Sequence, residues 1–174
     1  RQEADFPYMV AEDFQLVQLP YGNEAFSMCV ILPDEDKNLE SIIAQLNQEN
    51  WNNWSKRLST RTVNLKLPRF KLEYEQDLKV DLKDMGMISP FSGMSADFSN
   101  MAEGLYIGLV KQKTFVEVNE EGTEAAAVTV VGMIETALPE PPSIPQFHVN
   151  RPFIYLIKEA STGAILFMGK MGSM

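Results

Sequence analysis

The feature that most constrains the fold is the almost continuously apolar segment FSMCVIL, Phe26–Leu32. A strand with apolar side chains on both faces needs neighbours that bury both faces, which a lone hairpin cannot provide. The segment Phe14–Leu19 and the turn sequence PYGNE precede this run, and together they predict a β-hairpin. Phe26–Leu32 is therefore predicted to be a central strand of a large sheet.

The remaining elements follow from apolar periodicity and from turn residues. Leu39, Ile42, Ile43 and Leu46 follow a capping Asn38 at helical spacing. The other predicted elements are a short helix with Trp51, Trp54 and Leu58, a strand around Val63–Leu67 interrupted at Pro68, a helix from Asp77 ending at Gly86, a strand over Leu105–Asn119, and a hairpin over Arg151–Met171 turning at Glu159–Gly163. The strands are long and apolar, so we expect none of them to lie at a sheet edge. The predicted class is α+β, mixed and strand-dominated, with large β-sheets and short helices.

The charge and the apolar content of the sequence limit the kinds of molecule that the protein is expected to bind. Fifteen basic against twenty-four acidic residues give a net charge of −9, which disfavours attraction to nucleic acid phosphates. No apolar run approaches the ~20 residues that cross a bilayer. We therefore expect neither nucleic acid nor a membrane as partner. The single cysteine, Cys29, has apolar neighbours and is predicted to be a buried packing thiol.

The sequence offers little material for catalysis or for binding metal. His148 is the only histidine, which leaves few ways to build a catalytic triad or a cluster of metal ligands. Glu120, Glu121 and Glu124 are interpreted as a solvated acidic face rather than as catalytic carboxylates. We predict a protein that is not an enzyme and that needs no cofactor and no metal.

The most ambiguous stretch is NEEGTEAAAVTVVGMIETALPEPPSIP, residues 119–145. Its alanines favour a helix, whereas Gly122 and the β-branched run behind the alanines favour a strand. With a period of two, Thr123, Ala125 and Ala127 lie on one face, which is small and weakly polar. The prolines that follow favour an extended, exposed segment with P-x-x-P spacing.

This stretch resembles the hinge and reactive-centre loop of the serpins. VNEEGTEAAAVT, FHVNRPFIYLIKEASTGAILFMGKM, LVQLPYGNEAFSMCVILPDE and LKLPRFKLEYEQDLKVDLKDMGM are all similar to serpin segments, in the order in which that family has them. The resemblance covers essentially the whole chain. It implies that residues 1–174 are the C-terminal part of a single serpin domain, with the reactive-centre loop at about 119–146 and the final strands at about 146–171. The implied partner is an N-terminal half of the same serpin.

The resemblance also implies a mechanism. Inhibitory serpins act as suicide substrates: a target protease cleaves the loop, and the freed hinge enters the main sheet as a new strand while the acyl-linked protease is trapped. The positions that match the hinge are Glu120, Gly122, Thr123, Ala125, Ala126 and Ala127. From Gly122 onward the side chains of these positions are small, which suits a segment that must insert between strands.

The family's hinge-to-bond spacing implies a reactive bond between Thr136 and Ala137. Because the loop is longer than is usual in the family, Ile134, Glu135 and Leu138 are alternative flanks of that bond. Small uncharged residues there imply an elastase-like or subtilisin-like serine protease as target, with a cysteine protease as an alternative. Val128–Gln146 has no Arg or Lys, which disfavours trypsin-like targets.

Two other functions stay open. The first is a non-inhibitory serpin that acts as a carrier or chaperone, and the second is a β-rich binding module that uses the proline-rich loop. Gln112 lies where many serpins have a histidine that helps to hold the main sheet closed, which makes control of sheet opening an open point. The expected localisation is extracellular or secreted, or the periplasm or cell surface if the protein is bacterial.

Overall fold

The structure, a computed structural model, describes residues 2–119 and 143–172. These residues form two compact units, one of residues 2–68 with 143–172 and the other of residues 69–119. Within the described ranges there are nine strands but only three α-helices, so the predicted strand-dominated α+β class is confirmed. None of the helices in these ranges has the length and apolar character needed to span a membrane.

The strands belong to two sheets. In chain order they are β1 (Gln2–Val10), β2 (Phe14–Tyr21), β3 (Phe26–Pro33), β4 (Ser59–Lys66), β5 (Phe70–Asp77), β6 (Lys111–Val118), β7 (Gln146–His148), β8 (Phe153–Glu159) and β9 (Ile165–Met171). The larger sheet has the order β7-β4-β1-β2-β3-β8-β9, and β5 pairs with β6 in the smaller one. Neighbouring strands are antiparallel except for β4 and β7, which are parallel.

The central strand β3 is the one that the apolar run predicts. It pairs with β2 on one side and with β8 on the other, and every residue from Ser27 to Pro33 is buried. Alternate side chains of a strand point to opposite faces, so both faces of β3 are covered. Cys29 is fully buried in this strand, as predicted, and burial raises the pKa of its thiol to about 11.

Two helices connect β3 to β4, and their apolar sides pack on one face of the larger sheet. They are α1 (Leu39–Gln45) and α2 (Gln48–Arg57), at the predicted places. The side chain of Asn38 accepts a hydrogen bond from the Glu40 amide, so the predicted cap is confirmed. The residues of this core are Met9, Phe14, Leu16, Cys29, Ile31, Leu39, Ile42, Trp51, Trp54, Ile154 and Leu156.

The β8–β9 hairpin turns where the sequence predicts. Gly163 has φ 72°, a conformation that residues with a Cβ rarely adopt, and its amide donates to the Glu159 carbonyl. Within the described residues, the expectation that no strand lies at a sheet edge is wrong for β9, which ends the larger sheet, and for β5 and β6, which form a sheet of two strands. Leu166, Phe167 and Met168 are about half exposed there, because in the described part of the chain no strand follows β9.

The second unit contains the two-stranded sheet, α3 (Lys79–Asp84) and a short 3-10 helix, Ser89–Phe91. Gly86, with φ 97°, follows α3 as predicted. The strand predicted over Leu105–Asn119 is shorter than expected and begins at Lys111. The reason is that the Ile107 amide bonds to the Pro90 carbonyl and the Val110 carbonyl to the Leu78 amide, outside any ladder.

Candidate functional site

The predicted hinge and reactive bond lie outside the described residues. This applies to Glu120, Gly122, Thr123, Ala125, Ala126, Ala127, Ile134, Glu135, Thr136, Ala137 and Leu138. Their assignments stay predictions. The structure does describe the two flanks of this segment, β6 on the upstream side and β7 on the downstream side.

The upstream flank, β6, is a regular strand whose ladder with β5 is complete. Its eight residues pair with those of β5 from Phe70 opposite Val118 to Asp77 opposite Lys111. Only Val116 of β6 is buried. Within residues 2–119 and 143–172, β5 is the only strand that pairs with β6, so the second edge of β6 has no ladder there.

Charged side chains cover one face of this pair of strands. Glu75 on β5 bonds to the ammonium group of Lys111, and Lys113 is 2.8 Å from its other carboxylate oxygen. Both hydrogen bonds lower the pKa of Glu75, and the bond from Lys111 contributes more than the bond from Lys113. The ammonium nitrogen of Lys71 lies 5.2 Å from the centre of the Phe115 ring. This face has the character of a solvated surface rather than of a packed core.

Gln112, the position that departs from the family's usual histidine, lies on the exposed part of β6. It pairs with Gln76 across the ladder. Nε2 of the Gln76 side chain donates to a carboxylate oxygen of Asp81 at 2.6 Å, which ties β5 to the helix after it. The role of Gln112 in opening a sheet stays open.

The downstream flank is held by a buried polar side chain on β4. Asn64 is only 6% exposed, and its Nδ2 donates to Oε1 of Gln146 at 2.9 Å. The Asn64 amide also donates to the Pro145 carbonyl at 2.9 Å. Gln146 in turn donates from Nε2 to the Ile144 carbonyl, also at 2.9 Å. Pro145 and Gln146 are therefore fixed to β4 by main-chain and side-chain bonds.

An aromatic contact completes this attachment. Phe147 is fully buried, and its ring meets that of Tyr8 edge to face with 6.4 Å between centroids. Past the end of β7 the Val149 amide donates to the Lys66 carbonyl at 2.8 Å. His148 is the last residue of β7.

Asn64 is not among the residues that the sequence singles out. Alternation along β4 predicts that Asn64 and Lys66 share a polar face of the strand, yet Asn64 is buried and Lys66 is exposed. The sequence signal was weak, because an asparagine between Val63 and Leu65 has the same alternation as a solvent-facing residue. Its partner Gln146 lies 82 positions away, so no local pattern links the two residues.

In the described parts of the chain no group of three or more His, Cys, Asp or Glu side chains is arranged to hold a metal ion. The buried Cys29 with its raised pKa is not suited to nucleophilic chemistry. What the described residues provide is two anchored ends of a long connecting segment.

Comparison with known proteins identifies the family to which the chain belongs. The family model for Serpin (serine protease inhibitor) matches residues 1–173, and the chain therefore belongs to the serpin family. The leukocyte elastase inhibitor of Homo sapiens is 39% identical over 183 residues, covering 99% of this chain and 47% of that protein. Serpin B4 of Homo sapiens is 40% identical over 179 residues, covering 99% of this chain and 45% of that protein.

Solved structures agree on the fold. A thermophilic serpin, tengpin, in the native state is 32% identical with a TM-score of 0.78, covering 99% of this chain and 46% of that chain. The chain thus spans about half the length of the relatives that it matches. A protease inhibitor, the leukocyte elastase inhibitor, is among those relatives. The relatives give no support to the expected extracellular localisation.

Proposed function

We propose that this chain is the C-terminal half of a serine protease inhibitor that acts as a suicide substrate. One observation carries the proposal: β6 leads directly into the hinge sequence, and its second edge has no ladder partner among the described residues. A cleaved loop that turns back after Asn119 would run antiparallel to β6 and add a strand to that edge. Addition of a strand supplies main-chain hydrogen bonds without requiring any particular side-chain sequence.

The free energy released by this insertion is large enough to deform a bound protease. About eight ladder hydrogen bonds along β6, at ~1 kcal/mol each, together with packing of inserted apolar side chains, give on the order of 10 kcal/mol. That is similar to the whole free energy of unfolding of a typical domain, about 5–15 kcal/mol. Insertion on this scale is sufficient to deform a protease that is still acyl-linked to the loop.

The proposed hinge makes a sharp test. Thr123, Ala125 and Ala127 would enter the sheet on one face, so Thr123→Arg would bury an unpaired charge at a cost of several kcal/mol. In the full-length protein we expect this variant to be cleaved by an elastase-like protease without forming a complex that survives a denaturing gel. The unmodified protein is expected to form that complex.

Glu124→Arg is the matched control, because with a period of two Glu124 lies on the opposite face from Thr123. This variant is expected to keep most of the covalent trapping. If Thr123→Arg traps the protease as well as the unmodified protein does, the insertion mechanism is wrong for this protein.

The proposed reactive bond is Thr136–Ala137, and the proposed targets are elastase-like or subtilisin-like serine proteases. Its support is the absence of Arg and Lys from Val128–Gln146, together with a relative named as an elastase inhibitor. Mass spectrometry of the C-terminal peptide released under denaturing conditions tests the position. A peptide beginning at Ala137 supports this bond, whereas one beginning at Glu135, Thr136 or Leu138 moves it.

We also propose that the chain folds together with an N-terminal half as a single serpin domain. The chain spans about half of its relatives, and the half-exposed apolar residues of β9 are a surface that such a half would cover. A carrier function is the second candidate, because thyroxine-binding globulin in complex with thyroxine has the same fold, with a TM-score of 0.80 and 29% identity. Clean cleavage of the loop, with no stable complex between this protein and the protease, would favour that candidate. Secretion stays a prediction.

A further inference from the structure

A cleft in the first unit is built from three segments that are distant in sequence. They are residues 33–40 at the junction of β3 and α1, residues 151–152 between β7 and β8, and Lys170 with Gly172 at the end of β9. The cleft has a volume of about 350 Å³, at the lower end of the range of small-molecule sites, about 300–1,000 Å³. Among the described residues its lining includes none from β6 or β7, so it is separate from the flanks of the loop.

Polar bonds hold the three segments together. The ammonium group of Lys170 donates to a carboxylate oxygen of Glu40 on α1 at 2.6 Å, which joins β9 to that helix. Nε of Arg151 donates to the carbonyl of Pro33 at 2.6 Å, which joins the β7–β8 connection to the end of β3. Because the protein's own groups cross-link the walls, the cleft is pre-formed, and a ligand does not have to order it.

Two charged groups of the cleft have no partner of opposite charge. Lys37 is neutralised by Asp13 at 2.8 Å, whereas Arg151 and Glu35 form no ion pair within residues 2–119 and 143–172. Nη1 of Arg151 donates to Oδ1 of Asn150 at 3.0 Å, which orients the guanidinium group and leaves Nη2 without a partner in the described part of the chain. The cleft therefore presents one cation and one anion that do not pair with each other.

A small zwitterion has the groups that these two charges require. A guanidinium group binds a carboxylate through charge-assisted hydrogen bonds, and a carboxylate binds an ammonium group in the same way. Leu39 and Pro152 add apolar surface to the lining. We propose that the cleft binds a free α-amino acid with a small apolar side chain, with its carboxylate at Arg151 and its ammonium group at Glu35. This site does not depend on the proposed inhibitory function.

The test is a titration of the full-length protein with L-valine, followed by ligand-observed NMR. Two analogues separate the charges, because N-acetyl-L-valine lacks the ammonium group and L-valinamide lacks the carboxylate. The variants are Arg151→Gln and Glu35→Gln. The matched controls are Arg61→Gln on β4 and Glu3→Gln on β1, which remove exposed charges of the same sign outside the cleft.

L-valine is expected to bind the unmodified protein and both controls equally, with a Kd on the order of 1 mM, since the charges of the cleft are largely solvent-exposed. Arg151→Gln and Glu35→Gln should each weaken binding about tenfold, the effect of losing one charge-assisted hydrogen bond. Glu35→Gln should not change the affinity for N-acetyl-L-valine, and Arg151→Gln should not change that for L-valinamide. The reason is that each analogue already lacks the charge that the altered residue recognises.

Three results would overturn the proposal. The first is the absence of saturable binding of L-valine to the unmodified protein, and the second is equal affinity in all four variants, which would place the ligand elsewhere. The third is binding of N-acetyl-L-valine as tightly as L-valine, which would indicate a site for anions alone and remove the role of Glu35. Arg151 also bonds to the Pro33 carbonyl, so the exposed Glu35 supplies the variant that is not expected to disturb the fold.

Discussion

Strands β3 and β6 are both eight residues long, but they lie in opposite environments. β3 has a ladder on each side and seven consecutive buried residues, from Ser27 to Pro33. β6 has a ladder on one side within the described residues, and only Val116 is buried. Within the described residues the difference separates a strand that is enclosed by the sheet from one that has an open edge.

Truncating a buried side chain of β3, compared with an exposed one of β6, is expected to have the largest effect on the free energy of unfolding. Ile31 on β3 is fully buried, so Ile31→Ala in the full-length protein is expected to lower the free energy of unfolding by about 2–5 kcal/mol. Phe115→Ala on β6 removes a larger side chain that is 55% exposed, and we expect a loss below ~1 kcal/mol. Urea unfolding measures both values, and equal losses would remove the distinction between the strands.

Adding a methyl group to a crowded glycine of the β8–β9 hairpin is expected to have an intermediate effect on the free energy of unfolding. A Cβ at Gly169 would lie 2.4 Å from the Tyr155 hydroxyl and 2.5 Å from its ring, while Gly172 has no atom within 4 Å of such a Cβ. Gly169→Ala is therefore expected to cost about 1–3 kcal/mol. Gly172→Ala is the control and should leave the midpoint of unfolding unchanged. A neutral Gly169→Ala would mean that Tyr155 moves aside freely.

The turn of the same hairpin predicts a pH dependence. The side-chain hydroxyl of Thr162, then the Ser161 and Thr162 amides, bond the Glu159 carboxylate and lower its pKa to about 2. A group with a lowered folded-state pKa adds stability above its unfolded pKa, near 4.5, and this contribution is lost as the pH falls toward 2. Glu159→Gln should thus be less stable than the unmodified protein at pH 7. The gap should close between pH 4.5 and 2 in unfolding titrations, and a gap independent of pH would contradict the account.

The smallest expected effect concerns Cys29 at the centre of β3. Because the thiol is buried and its pKa is raised to about 11, we expect it to resist alkylation by iodoacetamide at pH 8 in the native protein. It should react once urea unfolds the chain. Rapid labelling without denaturant would show that β3 opens locally, in contrast to its assigned role.

Much of the larger sheet could be predicted from the sequence, because its signals are local. The apolar run of β3, the capping Asn38 and the turn glycine Gly163 each act within a few residues of their own position. The edge position of β9 and the burial of Asn64 depend instead on which distant strands lie beside them. Periodicity along one strand carries no information about its neighbours. The hinge and reactive bond rest on resemblance to the serpins, and they stay predictions.

We propose that the edge of β6 accepts the cleaved loop as a new strand. Hydrogen exchange of the full-length protein, before and after cleavage by an elastase-like protease, tests it most directly, with β3 as internal reference. We predict that the amides of Lys111–Val118 become markedly more protected after cleavage, while those of Phe26–Pro33 stay unchanged. Unaltered protection of Lys111–Val118 in the cleaved protein would contradict strand insertion at β6.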